Sequence, residues 1–246
     1  MPNIQKTKTS IDAVPDGGKE SGNKDEWVIR GTDIEKTYDS WLPFGRTVEA
    51  LDGASLTVNE AELVGIVGGN GSGKSTLMEI LVGVLERDGG TVERRGTVGW
   101  CPQETLLYDR LTVRETMGLF GRGYGMDRDE IADRLGWLAD KLGYEEYLDT
   151  RIDHLSGGNH QKVNLSVALL HQPDVLLLDE PYTGFDWETY QTFWDLTDEL
   201  AKQGIAIVII SHFVEEHDRF DRIYELQDHR LALQEPEKQA VPAEGV

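Results

Sequence analysis

Apolar residues along the chain fall into short continuous runs that alternate with longer segments of helical periodicity. The runs Val175–Asp179 and Ile205–Ser211 are apolar almost throughout, which is typical of central parallel strands buried on both faces. Shorter strands are predicted at Trp27–Ile34, Ala54–Val58, Leu63–Val67, Thr91–Glu93 and Val98–Cys101. Helices are predicted at Ser75–Val84, Val113–Phe120, Arg128–Leu142, Gly157–Leu170 and Asp186–Gln203. This alternation predicts an α/β fold with a mostly parallel sheet.

The same pattern indicates how the domain is organised. Residues from about 102 to 160 lack strong strand signals and predict a mostly helical lobe, whereas Gly89-Gly90 predicts a turn. The polar stretches 1–26 and 236–246 predict disordered tails around one folded domain at residues 27–235. The last predicted helix is amphipathic, and its large apolar residues are expected to lie in the core: Trp187, Tyr190, Phe193, Trp194 and Leu200.

Length and composition predict a soluble protein. At 246 residues the chain can bury a sizeable core. Its apolar runs are far shorter than the roughly 20 residues that cross a bilayer, and its first residues resemble no secretory signal. The single cysteine, Cys101, cannot form an intramolecular disulfide and is expected to be a buried packing residue. A reducing, cytosolic compartment is therefore expected.

The charge is strongly unbalanced. Asp and Glu number 45 against 24 Lys and Arg, which gives a formal net charge of −21. A surface of this sign repels nucleic acid and anionic lipid, so no nucleic-acid partner is expected. Salt would screen the repulsion among these charges, because the Debye length falls to about 3 Å at 1 M. The balance favours a halophilic source, with an ordinary acidic bacterial protein as the alternative.

The first candidate site is the glycine-rich sequence GGNGSGKS at residues 68–75. It follows a predicted strand and opens a predicted helix, and it matches the P-loop pattern from Gly68 to Ser75. Its glycines let backbone N–H groups close around phosphate oxygens, and the helix N-terminus adds partial positive charge. Lys74 would reach the terminal phosphates, and Ser75 would ligate Mg²⁺. The other candidates for nucleotide binding here are Asn70, Gly71, Ser72, Gly73 and Thr76.

A second candidate site is the sequence VLLLDE at residues 175–180. Four apolar residues followed by two acids place the carboxylates at the C-terminal end of a strand, where ligands bind in open α/β sheets. Asp179 would hold the Mg²⁺ shell, and Glu180 would orient and deprotonate the attacking water. Together with the P-loop, this pair predicts hydrolysis of Mg-ATP.

A third motif, LSGGNHQ at residues 155–161, predicts another phosphate-sized helix end that lacks a lysine. Ser156 is a good N-cap, and Gly157 and Gly158 leave room for close approach of a ligand. A Mg²⁺-triphosphate keeps about two negative charges, which Lys74 and one helix end of about +0.5 do not balance. We therefore expect two copies, arranged head to tail, to cover each other's nucleotide with this motif.

These three motifs, Gln103, the turn YTGFD at residues 182–186 and His212 occur in the order and spacing of the nucleotide-binding subunit of ABC transporters. The chain resembles that family over about residues 27–235. The resemblance implies an ABC ATPase fold: a P-loop core with an antiparallel β-subdomain and a helical lobe. It also implies that Gln103 senses Mg²⁺ and the attacking water, and that His212 binds the γ-phosphate.

The resemblance extends to the implied dimer. Ser156 and Gly158 would contact the γ-phosphate of ATP held by the partner subunit, and Asp186 would act across the interface. Tyr38 resembles the aromatic residue that stacks on adenine, with Phe44 as a rival. A homodimer is the expected arrangement.

The implied setting is transport. The segment Leu111–Met126 resembles ABC-2-type exporters, so a separate membrane permease is expected, with this subunit peripheral on the cytoplasmic side of the membrane. The alternative is a stand-alone cytosolic ATPase, as in iron–sulfur assembly. Docking of the permease is expected on apolar residues of the helical lobe: Leu106, Leu107, Tyr108, Phe120 and Tyr124.

Overall fold

Two sheets and five α-helices make up the computed structural model, which describes residues 27–39, 47–211 and 217–234. The strands are β1 (Trp27–Tyr38), β2 (Val48–Asn59), β3 (Leu63–Val67), β4 (Gly89–Arg94), β5 (Val98–Cys101), β6 (Val175–Asp179), β7 (Ala206–Ser211), β8 (Arg222–Gln227) and β9 (Arg230–Leu233). The helices are α1 (Lys74–Val82), α2 (Val113–Gly123), α3 (Arg128–Leu142), α4 (Gly157–Leu169) and α5 (Trp187–Lys202). Short 3₁₀ turns occupy Glu145–Tyr147, Ile152–His154 and His217–Arg219.

The larger sheet has the order β5-β6-β7-β3-β8-β9, and all of its pairings are parallel except β8 with β9. Every residue of β6 and β7 is buried, which confirms the prediction of central strands covered on both faces. Alternate residues enter two core clusters. On β6, Leu176 and Leu178 belong to the core cluster that contains residues of α2, α3, α4 and α5. Val175 and Leu177, on the opposite face, belong to the cluster that contains residues of α1 and the smaller sheet.

The smaller sheet is antiparallel, with the order β2-β1-β4, and it packs over α1. The expected combination of a P-loop core, an antiparallel β-subdomain and a helical part is thus confirmed. The predicted turn at Gly89-Gly90 is wrong, because both glycines belong to β4. Gly90 has φ +75°, and a Cβ there would lie 2.2 Å from the Asp33 carbonyl oxygen, so glycine permits close strand approach.

Strong helix-start signals organise the segment between β5 and β6. Thr112 with Glu115 and Asp127 with Glu130 form capping boxes at the starts of α2 and α3. Helix α4 begins at Gly157 behind its cap Ser156 and packs against β5, α2 and α3. Within the described segments, no helix is both long enough and apolar enough to span a membrane.

The prediction that all the large residues of α5 belong to the core is wrong for Trp187. Phe193, Trp194 and Leu200 are buried, but Trp187 is 69% exposed. It is the first residue of the helix and precedes the part of α5 that is buried, which begins at Phe193. Its ring stacks on Tyr190. The predicted tails, Phe44 and His212 lie outside the described residues.

Candidate functional site

The phosphate loop joins β3 to α1 in the strand–loop–helix setting that its sequence predicts. Gly73 is the N-cap of α1 with φ +106°, and a Cβ there would lie 2.4 Å from the Ala50 carbonyl oxygen. Only glycine fits this close approach. The ammonium of Lys74 donates to the carbonyl oxygens of Gly68 and Gly69 at 2.8 and 2.9 Å. The Lys74 ammonium therefore lies against the backbone of the phosphate loop, beside the start of α1.

Lys74 shares its surroundings with the two acids at the carboxyl end of β6, Asp179 and Glu180. Burial of Lys74 lowers the pKa of its ammonium, while the negative charges of Glu180 and Asp179 raise it. The three groups meet because β3 and β6 both pair with β7 in parallel, so their carboxyl ends share one edge of the sheet. Asp179 is the last residue of β6 and is only 5% exposed. One cation and two carboxylates thus face the same small region.

Gln103, in the loop after β5, is part of the same cluster. Its Nε2 donates to Oε2 of Glu180 at 3.0 Å. Glu180 has φ +48°, a left-handed conformation that is uncommon outside glycine, and its N–H donates to the Ile210 carbonyl at 3.1 Å. Backbone strain of this kind is frequent at functional sites. The strand end and the loop therefore hold one carboxylate in a defined place.

Tyr38 lies beside this region at the end of β1. Its hydroxyl is 3.3 Å from Oγ1 of Thr76 in the first turn of α1, and its side chain is 42% exposed. The Lys36 ammonium lies 5.7 Å from the centre of the Tyr38 ring and pairs with Asp88 at 2.9 Å. An exposed ring next to the phosphate loop can stack on a flat base.

The LSGGN motif forms the capped helix start that its residues predict. Ser156 Oγ accepts from the Asn159 N–H at 3.3 Å, and a Cβ on Gly158 would lie 3.3 Å from the Gly184 carbonyl oxygen. The motif therefore adjoins the turn that ends at Asp186. Asp186 caps α5 by accepting from the Thr189 N–H at 2.8 Å, and this hydrogen bond lowers the pKa of its carboxyl. The motif therefore contacts the turn that ends at Asp186, and not the phosphate loop of the same chain.

A magnesium ion fits the oxygen donors expected for it. Mg²⁺ prefers hard oxygen ligands, takes few from the protein and keeps several waters. Ser75 would supply a hydroxyl, Asp179 a carboxylate and Gln103 an amide oxygen. The described residues contain no cluster of three or more His, Cys, Asp or Glu side chains that could hold a metal ion.

Two residues near the site, Asn164 and Tyr182, form hydrogen bonds that were not predicted from the sequence. Asn164, on the buried side of α4, donates to the Pro102 carbonyl at 3.0 Å, directly before Gln103. A signal exists in the sequence, since an asparagine stands between Val163 and Leu165 in an otherwise apolar stretch. Tyr182, whose hydroxyl donates to Ser211 at 2.6 Å, was likewise not anticipated.

Comparison with known proteins assigns this arrangement to a family. The model of the ABC transporter family matches residues 51–183. The ABC transporter ATP-binding protein NatA of Bacillus subtilis is 36% identical over 184 residues, which are 70% of this chain and 75% of NatA. The Nod factor export ATP-binding protein I of Sinorhizobium fredii is 30% identical over 227 residues, 87% of this chain and 64% of that protein.

The fold agrees with this relationship. A dimeric structure of the ATP-binding cassette MJ0796, in a post-hydrolysis state bound to ADP and Pi, superposes with a TM-score of 0.77 at 25% identity and covers 84% of this chain and 98% of that chain. The chain belongs to the ABC transporter family. It is a nucleotide-binding ATPase with the ABC ATPase fold.

Proposed function

We propose that the chain hydrolyses Mg-ATP as a homodimer that encloses two nucleotides and drives a separate membrane permease. The observation that carries this proposal is the cluster in which Gln103 holds Glu180 at 3.0 Å while Lys74 faces Glu180 and Asp179. Phosphoryl transfer to water requires a cation that binds phosphate, an acid that binds the metal and a second acid that orients the attacking water. Lys74, Asp179 and Glu180 can fill these three roles in that order.

Each residue has a separate role in this proposal. Lys74 and the loop residues Gly68, Asn70, Gly71, Ser72, Gly73 and Thr76 bind the phosphates; Ser75, Asp179 and Gln103 serve Mg²⁺. Glu180 takes the proton from the attacking water, assisted by Gln103 and His212. The ring of Tyr38 stacks on adenine, a role for which Phe44 is the rival. This cluster belongs to one domain at residues 27–235, with a helical lobe at about 102–160.

The partner subunit completes each nucleotide site in this proposal. Ser156 and Gly158 stand at the open start of α4, whose N-terminus offers partial positive charge to a γ-phosphate. Gly158 adjoins the turn of Asp186, so both motifs lie on one surface that a second copy can reach. The similar cassette MJ0796 is dimeric in its ADP- and Pi-bound state, which supports this arrangement.

The proposed setting is transport out of the cell, with this chain peripheral on the cytoplasmic face of the membrane. One relative is named for export of Nod factor, which supports the direction. For the permease, Leu106, Tyr108 and Tyr124 offer exposed side chains, whereas Leu107 and Phe120 are partly buried against the core. The exposed three are therefore the better docking candidates. The comparisons do not favour a stand-alone role in iron–sulfur assembly.

Dimer formation tests the proposal directly. We expect light scattering with Mg-ATP to show a dimer for the slowly hydrolysing Glu180→Gln chain, and only a monomer once Ser156→Arg is added. The matched control is Thr112→Arg, which replaces the hydroxyl cap of α2 and adds the same charge. A persistent dimer with Ser156→Arg would show that the motif does not act across the interface.

A further inference from the structure

A buried amide joins the helix that begins with LSGGN to the loop that carries Gln103. Asn164 is 4% exposed and lies two turns along α4 from the motif. Its Nδ2 donates to the Pro102 carbonyl oxygen at 3.0 Å and approaches Cys101 Sγ at 3.2 Å. Burying an amide in an apolar helix face costs free energy unless it is hydrogen-bonded, so the acceptor matters.

The acceptor is the residue directly before Gln103. Proline has no N–H, so the carbonyl oxygen is the only backbone hydrogen-bonding group with which Pro102 can be held. Cys101 ends β5 on one side of it, and on the other side Gln103 Nε2 donates to Glu180 at 3.0 Å. A continuous path therefore runs from α4 through Asn164 and Pro102 to Gln103 and the carboxylate.

We infer that Asn164 is a positioning residue for ATP hydrolysis: it fixes the Gln103 loop to α4 so that Gln103 holds Glu180 in its working place. This inference rests on the proposed role of Glu180. Because α4 begins at the LSGGN motif, a shift of α4 when the motif meets the partner's nucleotide would reach Gln103 through one hydrogen bond. Displacements near 1 Å at a catalytic group can cost about 100-fold in rate.

The test is a double-mutant cycle in ATP hydrolysis. Asn164→Leu keeps the size of the side chain and removes the donor, and we expect kcat to fall about tenfold, with KM for ATP changed less than twofold. In a Gln103→Ala background the same substitution should have no further effect on kcat, because the group through which it acts is gone.

Ser166→Ala is the matched control for stability. Ser166 is buried on the same helix and bonds to Tyr144 and to the Lys162 carbonyl, both at 2.8 Å, without touching the loop. We expect it to lower the melting temperature about as much as Asn164→Leu while kcat stays unchanged. If Asn164→Leu precipitates, Asn164→Ala removes the same donor without added bulk and enters the same cycle.

The outcomes separate the inference from the proposed function. Equal losses of kcat with and without Gln103, or an unchanged kcat for Asn164→Leu, would reduce Asn164 to a satisfied core amide. Normal kcat for Glu180→Gln would instead remove the proposed role of Glu180, on which the inference rests.

Discussion

Glu180→Gln isolates the chemical role of one carboxylate. Glutamine has the same shape and backbone, so the left-handed conformation at φ +48° is unchanged. Its amide oxygen can still accept from Gln103 Nε2, the contact that measures 3.0 Å in the wild-type chain. What is lost is the capacity to take a proton. Loss of a general base costs about 10²–10⁴ in rate, which corresponds to about 2.7–5.4 kcal/mol of activation free energy.

Phosphate release and light scattering, measured on one preparation with Mg-ATP, check this expectation. Binding of ATP should persist because Lys74 and the phosphate loop are unaltered, so the variant should accumulate as an ATP-loaded dimer that turns over slowly. Hydrolysis at close to the wild-type rate would refute the reasoning. The base would then have to be His212 or the γ-phosphate itself.

Asp179→Asn is the matched contrast, because it makes the same change one residue earlier. Asp179 is 5% exposed at the end of β6 and is proposed to serve the metal. The substitution should weaken binding in the presence of Mg²⁺ and yield little dimer. If both variants gave the same stable dimer, the separate roles proposed for Asp179 at the metal and for Glu180 at the attacking water would be wrong.

Three further predictions concern binding, salt and pH. Lys74→Ala should weaken ATP binding about 10- to 100-fold, since a hydrogen bond to a charged group contributes about 1.5–3 kcal/mol. Unchanged affinity in calorimetry would exclude Lys74 as the residue that binds the phosphates. If the source is halophilic, the melting temperature should rise from low to molar KCl as the net charge of −21 is screened, and a flat curve would indicate an ordinary acidic protein. Burial lowers the pKa of His171 below 6.5, so the unfolded chain binds the proton first and stability should fall as pH drops below that value. His171→Phe keeps a ring against Tyr124 and should reduce this dependence in urea titrations from pH 7.5 to 5.5; an identical slope would rule out His171 as its source.

The hydrophobic pattern predicted the bounds of those elements whose limits are marked within one short segment of sequence. The bounds of β3, β5, β6 and α3 agree with prediction, because continuous apolar runs or a capping box mark them. Strand β8 and the edge strand β9 were missed, since their residues carry no clear alternation and gain their order from the pairing of β8 with β3 and of β8 with β9. Trp187 was misjudged because periodicity does not show where a helix end leaves the core.

The candidate site divides in the same way. The phosphate loop is contiguous, so glycine spacing alone predicted its form. Gln103 and Glu180 are 77 positions apart, and only the parallel order of β5 and β6 brings them within 3.0 Å. Gln103 was assigned from the family resemblance alone, whereas Glu180 was assigned from its place at the end of an apolar run that follows a P-loop in the sequence. The bond from Asn164 to Pro102 depends on the packing of α4 against β5, which no local pattern encodes.

The burial of Cys101 makes the chain convenient for site-specific labelling. It is the only cysteine in the sequence and is fully buried, and burial raises the pKa of its thiol, which suppresses the reactive thiolate. Maleimide reagents should therefore leave the native protein unmodified. A dye attached through Ser156→Cys or Tyr38→Cys would then report on one known position, with Cys101 left in place beside Asn164.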